Sequence, residues 1–352
     1  MRRAEHGLPD LPADEVKAEQ HRQQSAQGKD YHAGLARLDN VAFQISVANR
    51  SYCKLGAPRL GVNVATTQSL PRKYRAFARE TLHVDETYAT AISVAQRSPA
   101  AAAGIKVGDQ ILTLNNEPIP AKKPGEWIES RLDRNGEAPV TIMVRHDDKD
   151  DPRTVYPVMA CAVPVELATD PAANAFTDGG KIVIHSGILR LAPNDADLAV
   201  IVGHELAHIT MGHYGKKLQN TLLGGLGGAF IDGGLMLGGI YTGGAFYKHL
   251  EAAGERTFSV AFEREADYVG AYYAARAGYD ISGAANIWRA LALENPANNR
   301  TAKTHPTAPA RFVQMQKTIA EIADKKRLHL PLEPDLKLTT TQPAEPTAPA
   351  AY

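Results

Sequence analysis

The sequence predicts an α+β chain in which a small β-rich unit precedes a mainly helical one. Its 352 residues correspond to two or three globular units at ~150 residues each, and 44% are hydrophobic, enough to fill real cores. Short alternating apolar runs, punctuated by glycine and asparagine, fall between residues 85 and 158. Apolar text at helical period dominates residues 159–330.

Charge and cysteine usage narrow the function. Lys+Arg and Asp+Glu both number 39, and no long basic run occurs, which argues against nucleic acid as a partner. Cys53 and Cys161 are too few for a disulfide scaffold or a Cys-ligated zinc cluster. They are either one bridge of an exported protein or two unrelated thiols. The opening MRRAEHGLPDLPADEVKAEQHRQQ has two arginines but no apolar stretch behind them, so it does not read as a signal peptide. Either the protein stays inside, or an export signal has been trimmed.

Residues 1–40 are polar and read as a helical or mobile segment. Residues 41–84 read as a lead-in, mixing a helical pattern (Val41, Ile45, Ala48) with strand-like text from Leu60 to Val64. Ala91-Ile92-Ser93-Val94 then alternates as a strand. Ser98 suits an N-cap, Pro99 a first helical position, the alanines a short helix and Gly104 its left-handed exit. Strands follow at Ile111 to Leu114, closed by Asn115-Asn116, and at Val140 to Val144. The run SPAAAAGIKVGDQILTLNNEPI resembles the core of a bacterial-type PDZ domain, over residues 85–158. That resemblance implies capture of a peptide C-terminus along a sheet edge. The segment expected to form the carboxylate loop, Thr87 to Thr90, departs from the family by lacking glycine-rich text. A structural or autoregulatory role is the alternative for this unit.

The chemistry concentrates in Val200-Ile201-Val202-Gly203-His204-Glu205-Leu206-Ala207-His208. Asn194 and Asp195 supply a helix start, and the apolar text marks a buried helix. His204 and His208, four apart, project from one face at a spacing that a single Zn²⁺ can bridge. Glu205 lies roughly 100° around, placed to act on water rather than to compete as a ligand. Two imidazoles without partners would be costly in so apolar a helix. A third histidine at the HExxHxxGxxH spacing would fall on Tyr214, and Met211 stands where that pattern needs glycine. His213 therefore reads as a non-ligand near the helix end, where a charge is tolerated. The third ligand is sought in Phe262-Glu263-Arg264-Glu265-Ala266-Asp267, within a helical stretch ending at Gly278. Glu263 and Asp267 share a face, and Glu265 points roughly the opposite way. Glu263 is the candidate ligand. Asp267 is placed to accept the free N–H of a ligating imidazole.

HELAH followed by EREAD resembles the zinc metallopeptidases that include HtpX, the CAAX-prenyl endopeptidases and the BepA-like periplasmic proteases. Asn174-Ala175-Phe176 with Gly180 to Ile184 is similar to the strand pair ahead of that family's zinc helix, and His305-Pro306 with Arg311 is similar to its late HP…R element. The resemblance implies a zincin-type peptidase domain, mainly helical with a small edge sheet, over residues 159–330. It implies one Zn²⁺ per chain on His204, His208 and Glu263, with Asp267 behind them and Glu205 as general base. It also implies His305 as oxyanion donor, with Arg311 bracing its loop. A substrate strand is expected to add along Lys181, Ile182, Val183 and Ile184.

Residues 221–250 carry glycines at four-residue spacing and read as a hairpin or lid, with contact to a membrane or a partner subunit as the further option. Residues 331–352, rich in Pro, Thr and Ala, are expected to be disordered. The expectation is a zinc metalloendopeptidase acting on unfolded or misassembled proteins in a bacterial cell envelope, periplasmic or membrane-associated. A cytoplasmic enzyme is the other location. A chaperone or assembly factor with a latent metal site, binding clients through the PDZ-like unit, is the alternative function.

Overall fold

A helix of 36 residues, α1 (Ala13–Ala48), opens the fold of the computed structural model, which describes residues 11–216, 258–294 and 309–336. Its buried positions Gly28, His32, Leu35, Leu38, Val41, Ala42 and Ile45 recur at three- and four-residue steps. Such a stripe must face a core. The sequence division at residue 40 therefore falls inside one continuous helix. The polar half ahead of Gly28 had diluted the pattern.

Two short strands then form a neck. β1 (Gly56–Arg59) pairs antiparallel with a segment 100 residues later, and Cys53 and Cys161 join beside it as a disulfide with Cα atoms 5.5 Å apart. Between the two lies an antiparallel unit. It runs β2 (Val62–Ala65), α2 (Arg75–Leu82), β3 (Ala89–Val94), α3 (Pro99–Ala102), β4 (Gln110–Leu114), β5 (Glu117–Pro118), α4 (Pro124–Asn135), β6 (Val140–His146) and β7 (Lys149–Val155). The strand order is β2-β3-β4-β6-β7, with β5 beside β4. Ser98 caps α3 by accepting from the Ala101 N–H, and Gly104 leaves it at φ +78°. Asn115 and Asn116 take positive φ between β4 and β5.

This unit begins earlier than residue 85, because β2 hydrogen-bonds to β3. The segment expected as the carboxylate loop, Thr87 to Thr90, instead enters β3, which is flanked by β2 and β4 and presents no edge. The open strand at that end of the sheet is β2. Leu60, Val64, Ile111, Ile128, Leu132, Val140, Ile142 and Val144 fill the unit's own core.

The chain returns through β8 (Val158–Cys161), the partner of β1, and enters a second sheet. β9 (Val165–Ala168), β10 (Ala175–Thr177) and β11 (Ile182–His185) are ordered β10-β11-β9. Among the described residues, five helices follow: α5 (Ser186–Leu191), α6 (Asp195–Thr210), α7 (Val260–Arg276), α8 (Asn286–Glu294) and α9 (Pro309–Arg327). Leu38, Val41 and Ile45 of α1 share their core with Leu198 and Val202 of α6, Val269 and Tyr273 of α7, Ile287 of α8 and Met315 of α9. The first helix of the chain is thus built into the last domain, and the β-rich unit is inserted between them. Buried Asn49, just past α1, clamps the junction: its amide donates to Tyr273 O (3.0 Å), and Arg276 Nε donates to its Oδ1 (3.0 Å).

Two expectations change here. Lys181 to Ile184 is not a substrate edge, because β11 already spends its backbone groups on β10 and on β9. Lys181 itself reaches Glu166 of β9 at 2.7 Å. The tail is not uniformly disordered: residues 331–336 lie against the helices, with Leu332 packed on the core and the Asp335 N–H donating to the Tyr268 hydroxyl. Residues 337–352 and the hairpin or lid expected over 221–250 lie outside the described residues. Among the described residues, no helix is long and apolar enough to cross a membrane.

Candidate metal centre

α6 starts where Asn194 accepts the Asp197 N–H at 2.9 Å, and Leu198 through His208 are all buried. Four residues make little more than one helical turn, so His204 and His208 stack on one face with their Nε2 atoms 3.1 Å apart. α7 is capped by Ser259, whose hydroxyl accepts the Phe262 N–H, and runs to Arg276 before Gly278 turns at φ +89°. The two helices cross at Gly203 and Gly270. A Cβ on Gly203 would stand 2.5 Å from Gly270 O, and one on Gly270 would stand 2.6 Å from His204 N. Only paired glycines allow that approach.

The crossing brings Glu263 to the histidines. Its Oε2 lies 3.6 Å from His204 Nε2 and its Oε1 lies 3.5 Å from His208 Nε2. These three are the one group among the described residues whose donor atoms gather as a metal site does, and all three are buried. Tetrahedral zinc with ~2.05 Å bonds needs donors about 3.3 Å apart. The two ring nitrogens stand 3.1 Å apart, and each faces its own oxygen of the Glu263 carboxylate, at 3.6 and 3.5 Å, close to that edge. Charge agrees as well: among the described residues, buried Glu205, Glu263 and Asp267 face one buried cation, Arg311. A divalent ion would balance that excess. The donor set of two imidazoles and a carboxylate fits Zn²⁺ with a coordination position left open.

Behind the candidate ligands, Asp267 Oδ1 sits 2.9 Å from His204 Nδ1. Arg311 donates to both Asp267 oxygens at 2.7 Å through Nε and Nη2, and its Nη1 lies 3.0 Å from Glu263 Oε2. Burial acts to raise the Asp267 carboxyl, but the Arg311 guanidinium, together with His204, holds the pKa below the usual carboxylate range. Arg311 also lies over the Trp288 ring, 4.2 Å from its centroid, and that ring meets His204 edge-on. Arg311 thus joins the Asp267 and Glu263 carboxylates to Trp288. The loop it was expected to brace, with His305, lies outside the described residues.

His213 departs most from expectation. It does lie just past α6, but it is fully buried rather than placed where a charge is solvated. Gly212, at φ +68°, turns the chain so that His213 comes back beneath the site. Its Nδ1 lies 3.0 Å from His208 Nδ1, its Nε2 lies 2.9 Å from Glu265 Oε2, and its ring stacks on Phe262 at 4.5 Å. Burial pushes its pKa down despite the opposing pull of Glu265. The signal in the sequence was thin: a Gly-His pair whose histidine lies five residues beyond the candidate ligand His208. Glu205 occupies the next helical position after His204 and is 2% exposed.

With this geometry in place, likeness to known proteins is informative. Residues 162–319 match Peptidase family M48, and residues 58–155 match the PDZ domain. The chain is 30% identical over 149 residues to mitochondrial metalloendopeptidase OMA1 of Arabidopsis thaliana, covering 42% of this chain and 30% of that one. It is 28% identical over 166 residues to the OMA1 metalloendopeptidase of Saccharomyces cerevisiae, covering 44% and 46%. It is 26% identical over 163 residues to the beta-barrel assembly-enhancing protease of Yersinia pestis, covering 42% and 32%. The chain thus spans less than half the length of each of these relatives. Over residues 162–319 this chain is similar to Peptidase family M48, and over residues 58–155, ahead of that stretch, it is similar to the PDZ domain.

Proposed function

We propose that the chain is a zinc metalloendopeptidase that hydrolyses peptide bonds of unfolded or misassembled proteins. The observation that carries the proposal is the buried triangle of His204, His208 and Glu263, with Asp267 on the outer nitrogen of His204. Bound Zn²⁺, one per chain, would supply Lewis acidity that polarises a scissile carbonyl and brings the acidity of water toward neutrality. Glu205 takes the proton of the attacking water on its carboxylate and passes it to the leaving nitrogen. Asp267 holds the His204 ring by accepting from Nδ1, and Arg311 keeps Asp267 ionised. We assign oxyanion donation to His305 on the strength of the HP…R resemblance. A substrate strand would join the sheet at β10, the outer strand packed on α6, rather than at β11.

The setting we favour is a bacterial envelope, where oxidising conditions sustain a bond such as Cys53–Cys161. The PDZ domain would take a peptide C-terminus along β2, and residues 221–250 would meet a membrane or partner subunit. Metal analysis joined to a casein-cleavage assay tests the central claim. Glu205→Gln should keep about one zinc per chain and the wild-type melting profile, yet lose 10²–10⁴-fold or more in turnover. Glu263→Ala should drop bound zinc well below one per chain. Cleavage that survives both substitutions, or resists chelators, would reject the assignment.

A further inference from the structure

The two candidate ligand imidazoles are held in different ways. His204 turns its outer nitrogen to a carboxylate, Asp267, whereas His208 turns its outer nitrogen to another imidazole. We propose that His213, anchored by Glu265, is a positioning residue that fixes the orientation and tautomer of His208 for the metal. The inference rests on the zinc site proposed above and adds a role to His213, beyond the HExxH motif, and to Glu265, an unspecified position within ExxxD.

Proton counting gives the direction of every bond. His208 Nε2 faces His204 Nε2 at 3.1 Å and Glu263 at 3.5 Å, so it is the ligand nitrogen and carries no proton when metal is bound. The ring proton of neutral His208 then sits on Nδ1, 3.0 Å from His213 Nδ1. Two facing ring nitrogens share one proton between them, so His213 Nδ1 must accept. That places the His213 proton on Nε2, which donates to Glu265 Oε2 at 2.9 Å. One tautomer assignment satisfies the whole chain from His208 through His213 to the carboxylate.

The packing leaves His213 little freedom to do otherwise. Its ring lies nearly parallel to Phe262, 13° between planes, and the Gly212 turn fixes its approach from below α6. α7 serves both histidines: Glu263 reaches the ligand nitrogens, while Glu265, two residues on, reaches His213. Partners of this kind, one step behind a ligand, set metal affinity 10–100-fold.

The test uses the full chain with Zn²⁺ and a chromophoric chelator in competition, together with the visible spectrum of the Co²⁺-loaded protein. His213→Leu keeps the bulk but cannot accept from His208, and it should weaken zinc binding 10–100-fold and alter the Co²⁺ bands. His213→Gln can accept from His208 and donate to Glu265, so it should recover affinity to within a few-fold of wild type. Glu265→Ala, which removes the anchor at a partly exposed position, should fall between them and covers the case in which His213→Leu does not fold. Wild-type affinity and spectrum in His213→Leu or Glu265→Ala would overturn the role, as would a His213→Gln variant no better than His213→Leu. A wild-type chain that binds no zinc would instead remove the underlying site, a separate and earlier failure.

Discussion

Gly270→Ala probes how the proposed metal centre is assembled. The added Cβ would stand 2.6 Å from His204 N, 2.7 Å from His204 Cα and 2.8 Å from Gly203 C, all backbone atoms that cannot rotate away. Ordinary contact begins near 3.4 Å, so α6 and α7 must part by about 0.8 Å. Glu263 lies seven residues, roughly 10 Å, along α7 from that point. A rigid shift would open its 3.5 and 3.6 Å approaches to the histidines to about 4.3 Å, well beyond the ~3.3 Å edge that zinc needs. Overpacking costs about 1–3 kcal/mol, while replacing a mid-helix glycine by alanine returns about 1 kcal/mol. Net stability therefore falls by only about 0–2 kcal/mol. Zinc affinity is the sharper readout, and a loss of tenfold or more is expected by chelator competition. Gly125→Ala in α4, where a Cβ would meet nothing nearer than 3.9 Å, is the control and should leave zinc binding unchanged. If Gly270→Ala kept wild-type affinity and gained about 1 kcal/mol, as an unencumbered helical glycine would, the glycine crossing would not be what sets the ligand geometry.

Two further predictions concern the junction between the domains. Asp39 of α1 accepts from Asn63 and Ser93 of the PDZ sheet; burial pushes its pKa up to about 6, against the opposing effect of those two hydrogen bonds. A carboxyl whose folded pKa is raised binds its proton more tightly in the folded state, so its contribution falls as pH rises from about 4 to about 6. Asp39→Asn, which can still accept both bonds, should flatten that part of the pH profile and raise relative stability at pH 7.5. Urea unfolding at pH 4.5 and 7.5 checks this, and parallel profiles for the two proteins would refute it. Removing the Cys53–Cys161 bond by double substitution to serine releases a loop with a sequence separation of 108 and should cost about 2–4 kcal/mol. An unchanged urea midpoint under non-reducing conditions would count against that contribution.

Local rules were enough for part of this protein. The cap at Ser98, the turn at Asn115-Asn116 and the start of α6 at Asn194 depend on neighbours within four residues, and the structure places them as read. The same holds for the shared face of His204 and His208 and for that of Glu263 and Asp267, since each follows from helical period alone. α1 was partly legible too. Leu35, Leu38, Val41 and Ile45 keep its stripe, but the exposed polar half before Gly28 hid the helix's length and its destination.

What the chain's text determined, then, is which chemical groups sit on which helix face, because a period of 3.6 residues is built into every turn. The fold alone decided which faces meet. Burial of α1 with helices more than 150 residues later, occupation of both sides of β11, the turn of Arg311 onto Asp267 and Glu263, and the seating of His213 between His208 and Glu265 all join distant segments. Such contacts are selected by close packing across the whole core, here by two glycines that let α6 touch α7. No local periodicity encodes that selection.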